Sequence, residues 1–370
     1  MCRKAWGFES PLPHLEHCER DLRTAQPGAA RHTTSSMIQP ESERTTGIAT
    51  LPEALGAQAA PIRYEIDEGS IKYFADSIMD PDPRYRPDEA ASGEPLRAPL
   101  TFFGSAVGLR DVAAGDSRTM SALDLPLPEG WARLATGDEF EFYQPVVAGM
   151  TLISRERFID VYEKHGRSGR LVFYTIEKTF STTGGEPVVR RVLHCVARAP
   201  VPPVSAPHPT ASTPDLTSQG SELPRLVVGP VTVRYLAIFA TATAEYVDIH
   251  YDADYARSLG LPGPIIQGLY KTALIARMLK DWSGDETLVH SLSVQHRGMD
   301  LAGSVLTVSG TAGSLTGEGA NRLRVCQIRV QNQHGVVTTY GTALVRQSAE
   351  PTDAAPDRLP TEGTKEYRQK

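Results

Sequence analysis

Eight segments that mix apolar and β-branched residues with polar ones, bounded by turn signals, read as strands. Four close the first half of the chain (138–143, 151–158, 171–180, 188–197) and four close the second (288–296, 304–312, 322–331, 336–346). Gly184-Gly185, Gly317-Glu318-Gly319 and His334-Gly335 mark turns between them. Ahead of each set the same events recur. A short strand-like run (62–66; 231–233) leads into a helical spacing (69–78; 235–244). An acidic turn follows, Asp80-Pro81-Asp82-Pro83-Arg84-Tyr85 in one half and Glu245 to His250 in the other. A small-residue segment (98–102; 267–269) then opens a further helix. One unit has been duplicated and has diverged.

The helix expected over 268–282 is apolar almost all round, through Leu269, Ala273, Leu274, Ile275, Met278, Leu279 and Trp282, with Lys271, Arg277 and Lys280 on a narrow side. A helix of that kind is buried against a curved sheet, and its length of about 22 Å suffices to cross one. The fold class is therefore α+β, two long helices wrapped by a continuous antiparallel sheet. By composition, residues 1–60 form a disordered extension in which Met37 is an alternative start to Met1. Residues 61–200 are the first domain, 201–222 a Pro/Ser/Thr-rich linker, 223–346 the second domain and 347–370 a flexible tail.

A hydrophobic content of 40% with 22% charged residues supports an ample core and excludes a largely disordered chain. The net charge of -6 gives no ground for nucleic-acid binding, although Arg190, Arg191, Arg297 and Arg322 could meet a phosphorylated ligand. No apolar run approaches the roughly 18 residues of a membrane span, and neither a secretory nor an organellar leader is apparent, so a cytoplasmic location is expected. Four cysteines without a CxxC spacing fit a reducing compartment. His14, His17 and Cys18 are the nearest approach to a ligand set, but they sit in a proline-interrupted tail, and no metal is expected.

The densest chemistry lies in Glu245-Tyr246-Val247-Asp248-Ile249-His250-Tyr251-Asp252, followed eighteen residues after the histidine by Gly268. A carboxylate and an imidazole supply an acid/base pair, and the amide of a glycine at a helix start can hold oxyanion charge. Plainer roles stand beside these. His250 could bridge loop backbone, Glu245 could be a surface carboxylate, and Gly268 could serve packing as well as N–H access. Asp252 reads as the N-cap of a helix at 253–259. Tyr251, Tyr255 and Tyr270 read as core or pocket wall, and His296 and Arg297 as a rim. In the first half Tyr85 occupies the histidine's place, Ala98-Pro99 the place of Gln267-Gly268, and Asp80 has no evident partner, so that half is expected to be non-catalytic.

These residues resemble the MaoC-type hot-dog hydratases, whose loop reads Asp-x-Asn-Pro-x-His-x-Asp ahead of a helix and a His-Gly pair. The resemblance covers 62–346, with the first half similar to the divergent N-terminal half of two-domain members. It implies a tandem double hot-dog and a hydro-lyase that hydrates an enoyl thioester or dehydrates a 3-hydroxyacyl thioester. It further implies His250 as general acid/base, Glu245 in the catalytic aspartate's place with Asp248 as its substitute, and the Gly268 N–H on the thioester carbonyl. Gln267, Asp248, Tyr251, Tyr270 and Arg297 are then the substrate-binding candidates. The partner is an acyl-CoA or acyl-carrier-protein thioester, with no metal, nucleotide or flavin cofactor. Val247, Asp248 and Gln267 depart from the family's Asn, Pro and His. A degenerate acyl-thioester-binding or partner subunit is the rival reading. Thioesterase chemistry is disfavoured, because the long helix offers only Asp281, near its far end. Acyl length and homodimer formation stay open.

Overall fold

The computed structural model describes residues 50–86, 95–103, 105–106, 123, 125–128, 130–166, 169–199, 220–243, 245–316, 322–346 and 365–367. The eight segments form strands, longer than expected in the first half and at Leu306–Thr316 and of about the expected length at the other three. In the first half they are β1 (Ile62–Glu65), β2 (Ser105–Ala106), β3 (Ala132–Phe142), β4 (Thr151–Gly166), β5 (Gly169–Thr182) and β6 (Pro187–Arg198). The second half adds β7 (Ser221–Glu222), β8 (Leu226–Val228), β9 (Val289–His296), β10 (Leu306–Thr316), β11 (Leu323–Asn332), β12 (Val337–Arg346) and β13 (Lys365–Tyr367).

All join one sheet in the order β13-β8-β10-β11-β12-β9-β3-β6-β5-β4-β1-β2, with β7 beside β10. The halves meet where β3 pairs antiparallel with β9, from Gly137 opposite Gln295 to Glu141 opposite Ser291. The helices are α1 (Leu51–Ala54), α2 (Glu68–Ser77), α3 (Val233–Thr243), α4 (Ala253–Ser258) and α5 (Gly268–Ser283). The last packs on β3 and β9 to β11 and stops at Gly284, whose φ of 83° favours glycine. This is the double hot-dog α+β fold. Among the described residues no helix is long and apolar enough to cross a membrane.

Several expectations are corrected. Even the narrow cationic side of α5 is buried with the rest of the helix: Lys271, Arg277 and Lys280 are at most 3% exposed. Each is matched by interior acceptors, Lys271 by Asp300, Arg277 by the carbonyls of Ile78 and Met79, and Lys280 by Asp80. Asp80 thus has a partner, one contributed by the other half. The short strand expected at 231–233 lies instead at β8. Val231 still exchanges backbone bonds with Ser304 and Gly303, but Leu236, Phe239 and Ala240 need a helical face for burial, so α3 begins at Val233.

The end of the presumed N-terminal extension is ordered, because Ala54 is buried and Gly56 and Ala59 donate to the carbonyls of Phe158 and Glu156 on β4. At the linker's end Glu222 pairs opposite Thr311, and within the tail β13 runs parallel to β8. Residues 1–49 (with Met1, Met37, His14, His17 and Cys18), most of the linker and tail, and the second helix expected in the first half lie outside the described residues.

Candidate active site

The loop from Glu245 to Asp252 is held by its own backbone, with the Asp248 carbonyl accepting from the N–H groups of Tyr251 and Asp252. Ile249 anchors it in the core and takes a bond from the Ile265 N–H at 3.1 Å. The Ile265 carbonyl in turn lies 2.8 Å from His250 Nδ1. A carbonyl can only accept, so Nδ1 carries the hydrogen and Nε2 keeps its lone pair. Burial pushes the imidazole pKa down to about 4, the bond to Ile265 recovering only part of the loss. The ring is therefore neutral at pH 7, with a basic nitrogen free.

His250 lines a cleft of about 720 Å³, its open mouth included. The cleft lies at the seam between halves. Arg133, Ala135, Arg191 and Leu193 come from the first, and Glu245, Gln267, Gly268, Lys271 and His296 join His250 from the second. Its floor is a chain of ion pairs. Arg191 Nε lies 2.8 Å from Asp138 Oδ1, and its other arm is 3.0 Å from Glu245 Oε1. Burial alone would raise the Asp138 pKa, but Arg191 and His296 more than offset it and bring the carboxyl down to about 2. His296 Nε2 faces Asp138 Oδ2 at 3.3 Å, and its Nδ1 faces Thr339 Oγ1 at 3.1 Å. The carboxylate accepts from Nε2–H, so the threonine hydroxyl donates to Nδ1. Burial lowers the pKa of this ring too. Lys271 bonds to the Gly298 carbonyl and to Asp300, which also accepts from Thr338 and Asn332.

Above this floor stands the start of α5. A Cβ on Gly268 would lie 2.8 Å from His296 Nε2 and 2.9 Å from its Cδ2, so only glycine lets the helix come this close. Gln267 does not cap the helix; its Nε2 donates to the Leu236 carbonyl on α3 at 3.1 Å. Among the described residues no group accepts from the N–H of Gly268, Leu269 or Tyr270, which leaves the positive end of the helix dipole uncompensated.

The structure thus brings His250, Glu245, Gln267 and Gly268 to one cleft, with a different partnership from the one expected. Glu245 is bonded to Arg191, and no hydrogen bond joins it to His250. The longer glutamate reaches across the seam to a guanidinium already anchored on Asp138. Four other candidates are not cleft lining. Tyr270 is fully buried, donates to the Ser77 carbonyl at 2.8 Å and sits edge-on to Phe239. Asp248 is engaged by the Tyr251 hydroxyl, whose pKa is raised by burial and by that carboxylate. Arg297 is exposed against Gln295 and Tyr340. Asp252 caps α4 as expected, accepting from Asp254 and Tyr255.

The pleat separates the adjacent arginines, sending Arg190 outward to Glu141 and Glu177 and Arg191 inward. Asp138 and Asp300 were not foreseen; a charge at an inward-facing strand position was the available signal for Asp138. Carboxylates of Asp80, Asp82 and Asp281 converge as if for a cation. Lys280 Nζ already sits 3.0, 2.9 and 3.0 Å from them, over the buried Tyr85 ring. Beside it remains only a void of about 10 Å³, so the first half's counterpart of the acid/base loop is filled by an ammonium.

Comparison with known proteins accords with this geometry. Residues 53–191 match the model of a FAS1-like dehydratase domain region, and residues 221–327 that of a MaoC-like domain. A UPF0336 protein of Thermobifida fusca (strain YX) is 32% identical over 151 residues, 40% of this chain and 91% of that protein. The 3-oxo-4,17-pregnadiene-20-carboxyl-CoA hydratase beta subunit of Mycobacterium tuberculosis is 31% identical over 81 residues, 22% of this chain and 61% of that one. Among solved structures, a MaoC-like dehydratase superposes with a TM-score of 0.62 at 20% identity, covering 81% of this chain and 100% of that one. A Mycobacterium tuberculosis protein described as a double hot-dog superposes with a TM-score of 0.53 at 14% identity, covering 80% and 98%. Identities this low show the shared fold.

Proposed function

This chain belongs to the MaoC-like dehydratase family, with a FAS1-like dehydratase region in front, and we propose that it hydrates an enoyl thioester or dehydrates the matching 3-hydroxyacyl thioester. One observation carries the reading: a neutral imidazole with Nε2 free shares a cleft with uncapped amides of a helix start. The thioester carbonyl takes the N–H of Gly268, where the helix dipole favours developing negative charge. Water gives a proton to His250 Nε2 as its oxygen bonds to C3, and the electrons of the C2=C3 bond move onto the thioester as an enolate. The imidazolium then returns the proton to C2, and dehydration runs the same steps backwards. Glu245, with its charge anchored by Arg191, favours that imidazolium from the cleft wall. The substrate carries its own CoA or carrier-protein pantetheine, and no further cofactor enters these steps.

The partnership of Glu245 with Arg191 also favours a second reading, in which the chain binds an acyl thioester or completes a partner's site without turnover. Crotonyl-CoA and branched or dicarboxylic enoyl-CoAs, followed at the enoyl-thioester absorbance band, separate the two. Turnover by the wild type that is lost in His250→Ala is the expected result. Measurable acyl-CoA binding with no turnover of any of them would leave the binding subunit.

A further inference from the structure

The side-chain amide of Gln267 presents an acceptor with nothing to accept. The residue is 3% exposed and lines the cleft, yet Oε1 is buried without a hydrogen-bond partner. Its orientation is not free to reverse, because the Leu236 carbonyl accepts only from the amide nitrogen. The oxygen is therefore the amide atom left without a partner, on a residue that lines the cleft. A buried acceptor left unpaired is costly, and such atoms are usually met by a ligand or an ordered water. The chain itself ties this side chain to His250, since the carbonyl holding the imidazole belongs to Ile265, two residues before Gln267. The remaining carboxylate of the cleft, Glu245, is already engaged by Arg191.

We infer that the Gln267 amide oxygen holds the nucleophilic water, accepting one of its hydrogens while His250 Nε2 takes the other. This rests on the hydratase reading above and deepens it by assigning the second contact to a neutral amide in place of Glu245. The atoms balance as before: the hydrogen facing His250 leaves as the proton, the hydrogen facing Gln267 stays on oxygen, and the product is the 3-hydroxyacyl thioester. An amide that cannot titrate keeps this hold at any pH.

The test uses the full chain with whichever enoyl-CoA of the panel the wild type hydrates fastest. Gln267→Met keeps the bulk and removes the acceptor, and is expected to lower kcat by about 10²-fold. The Kd for butyryl-CoA, which has no double bond to hydrate, should stay within about twofold, and thermal stability should change little, since removing the unpaired oxygen offsets the lost bond to the Leu236 carbonyl. Glu245→Gln should cost far less, and Gln267→Glu, which retains an oxygen, should recover part of the loss. Should Gln267→Met fail to fold, Gln267→Asn draws the oxygen back by about 1.5 Å, one bond length, and should lower kcat in the same way. The inference is overturned if Gln267→Met turns over within about threefold of the wild type, or if butyryl-CoA binding falls in step with kcat. An inactive wild type would remove the hydratase reading first, whereas an active wild type with indifferent Gln267 variants would remove this assignment alone.

Discussion

Arg191→Met strands two carboxylates at once. The guanidinium lies 2.8 Å from Asp138, whose side chain is 0% exposed, and 3.0 Å from Glu245, which is 24% exposed. Asp138 carries most of the cost. Its pKa of about 2 against an ordinary 3.8 corresponds to about 2 kcal/mol of stability at neutral pH. Because the folded value is depressed, that stability is present above pH 3.8 and is lost as pH falls through about 2. With the guanidinium gone, the burial that Arg191 opposed pushes the pKa up instead, and among the described residues His296 and Thr272 remain as donors. Breaking a buried pair typically costs about 3–5 kcal/mol, so a loss of about 3 kcal/mol at pH 7.5 is expected.

Protonation relieves the stranded carboxylate, so the gap between variant and wild type should narrow at pH 4.5. Urea denaturation at both pH values measures it, and Arg191→Met combined with Asp138→Leu should restore much of the stability. A single variant within about 0.5 kcal/mol of wild type, or a gap that does not change with pH, would refute this account of the cleft floor.

Further outcomes follow from the same geometry. The His250 pKa of about 4, against an ordinary 6.5, means that the neutral ring contributes stability above pH 6.5 that is lost as pH falls to about 4. That loss is about 3 kcal/mol, and His250→Phe should flatten this part of the stability–pH curve. The acid limb of kcat/KM should lie near pH 4, and a limb near 6.5 would contradict the buried neutral ring. Gly268→Ala must displace the His296 ring and should cost about 1–3 kcal/mol in thermal or urea unfolding, with turnover falling alongside. Lys280→Met leaves Asp80 buried and charged and should cost about 3–5 kcal/mol by denaturant melts, partly recovered by adding Asp80→Asn.

What could be read from the chain was whatever repeats or follows a local period. The aromatic and β-branched run at 171–180, bounded by turn signals, marked a strand, and the apolar spacing from Leu269 to Trp282 marked the buried helix. His250 and Gly268, eighteen residues apart, line one cleft. What escaped depends on neighbours distant in sequence. Arg191 meets Glu245 across 54 residues and Asp138 across 53, so the acid/base pairing suggested by the loop alone gave way to a partner on another strand. The burial partners of Lys271, Arg277 and Lys280 could not be read from the helix itself, because their acceptors lie on other elements. Tyr270 read as core or pocket wall; it is core, and its bond to the Ser77 carbonyl joins residues 193 apart in sequence. The short β8 was misplaced because a three-residue strand has too few positions for a period to register.

The seam between β3 and β9 gives the molecule a freedom that a symmetric pair of identical subunits lacks. When two copies of one gene product assemble about a twofold axis, each altered codon appears at both ends, and improving one end can spoil the other. Fused in tandem, the copies mutate independently. The second copy could acquire a lysine that fills the first copy's disused loop while its own loop kept an open mouth, and neither change had to be tolerated twice.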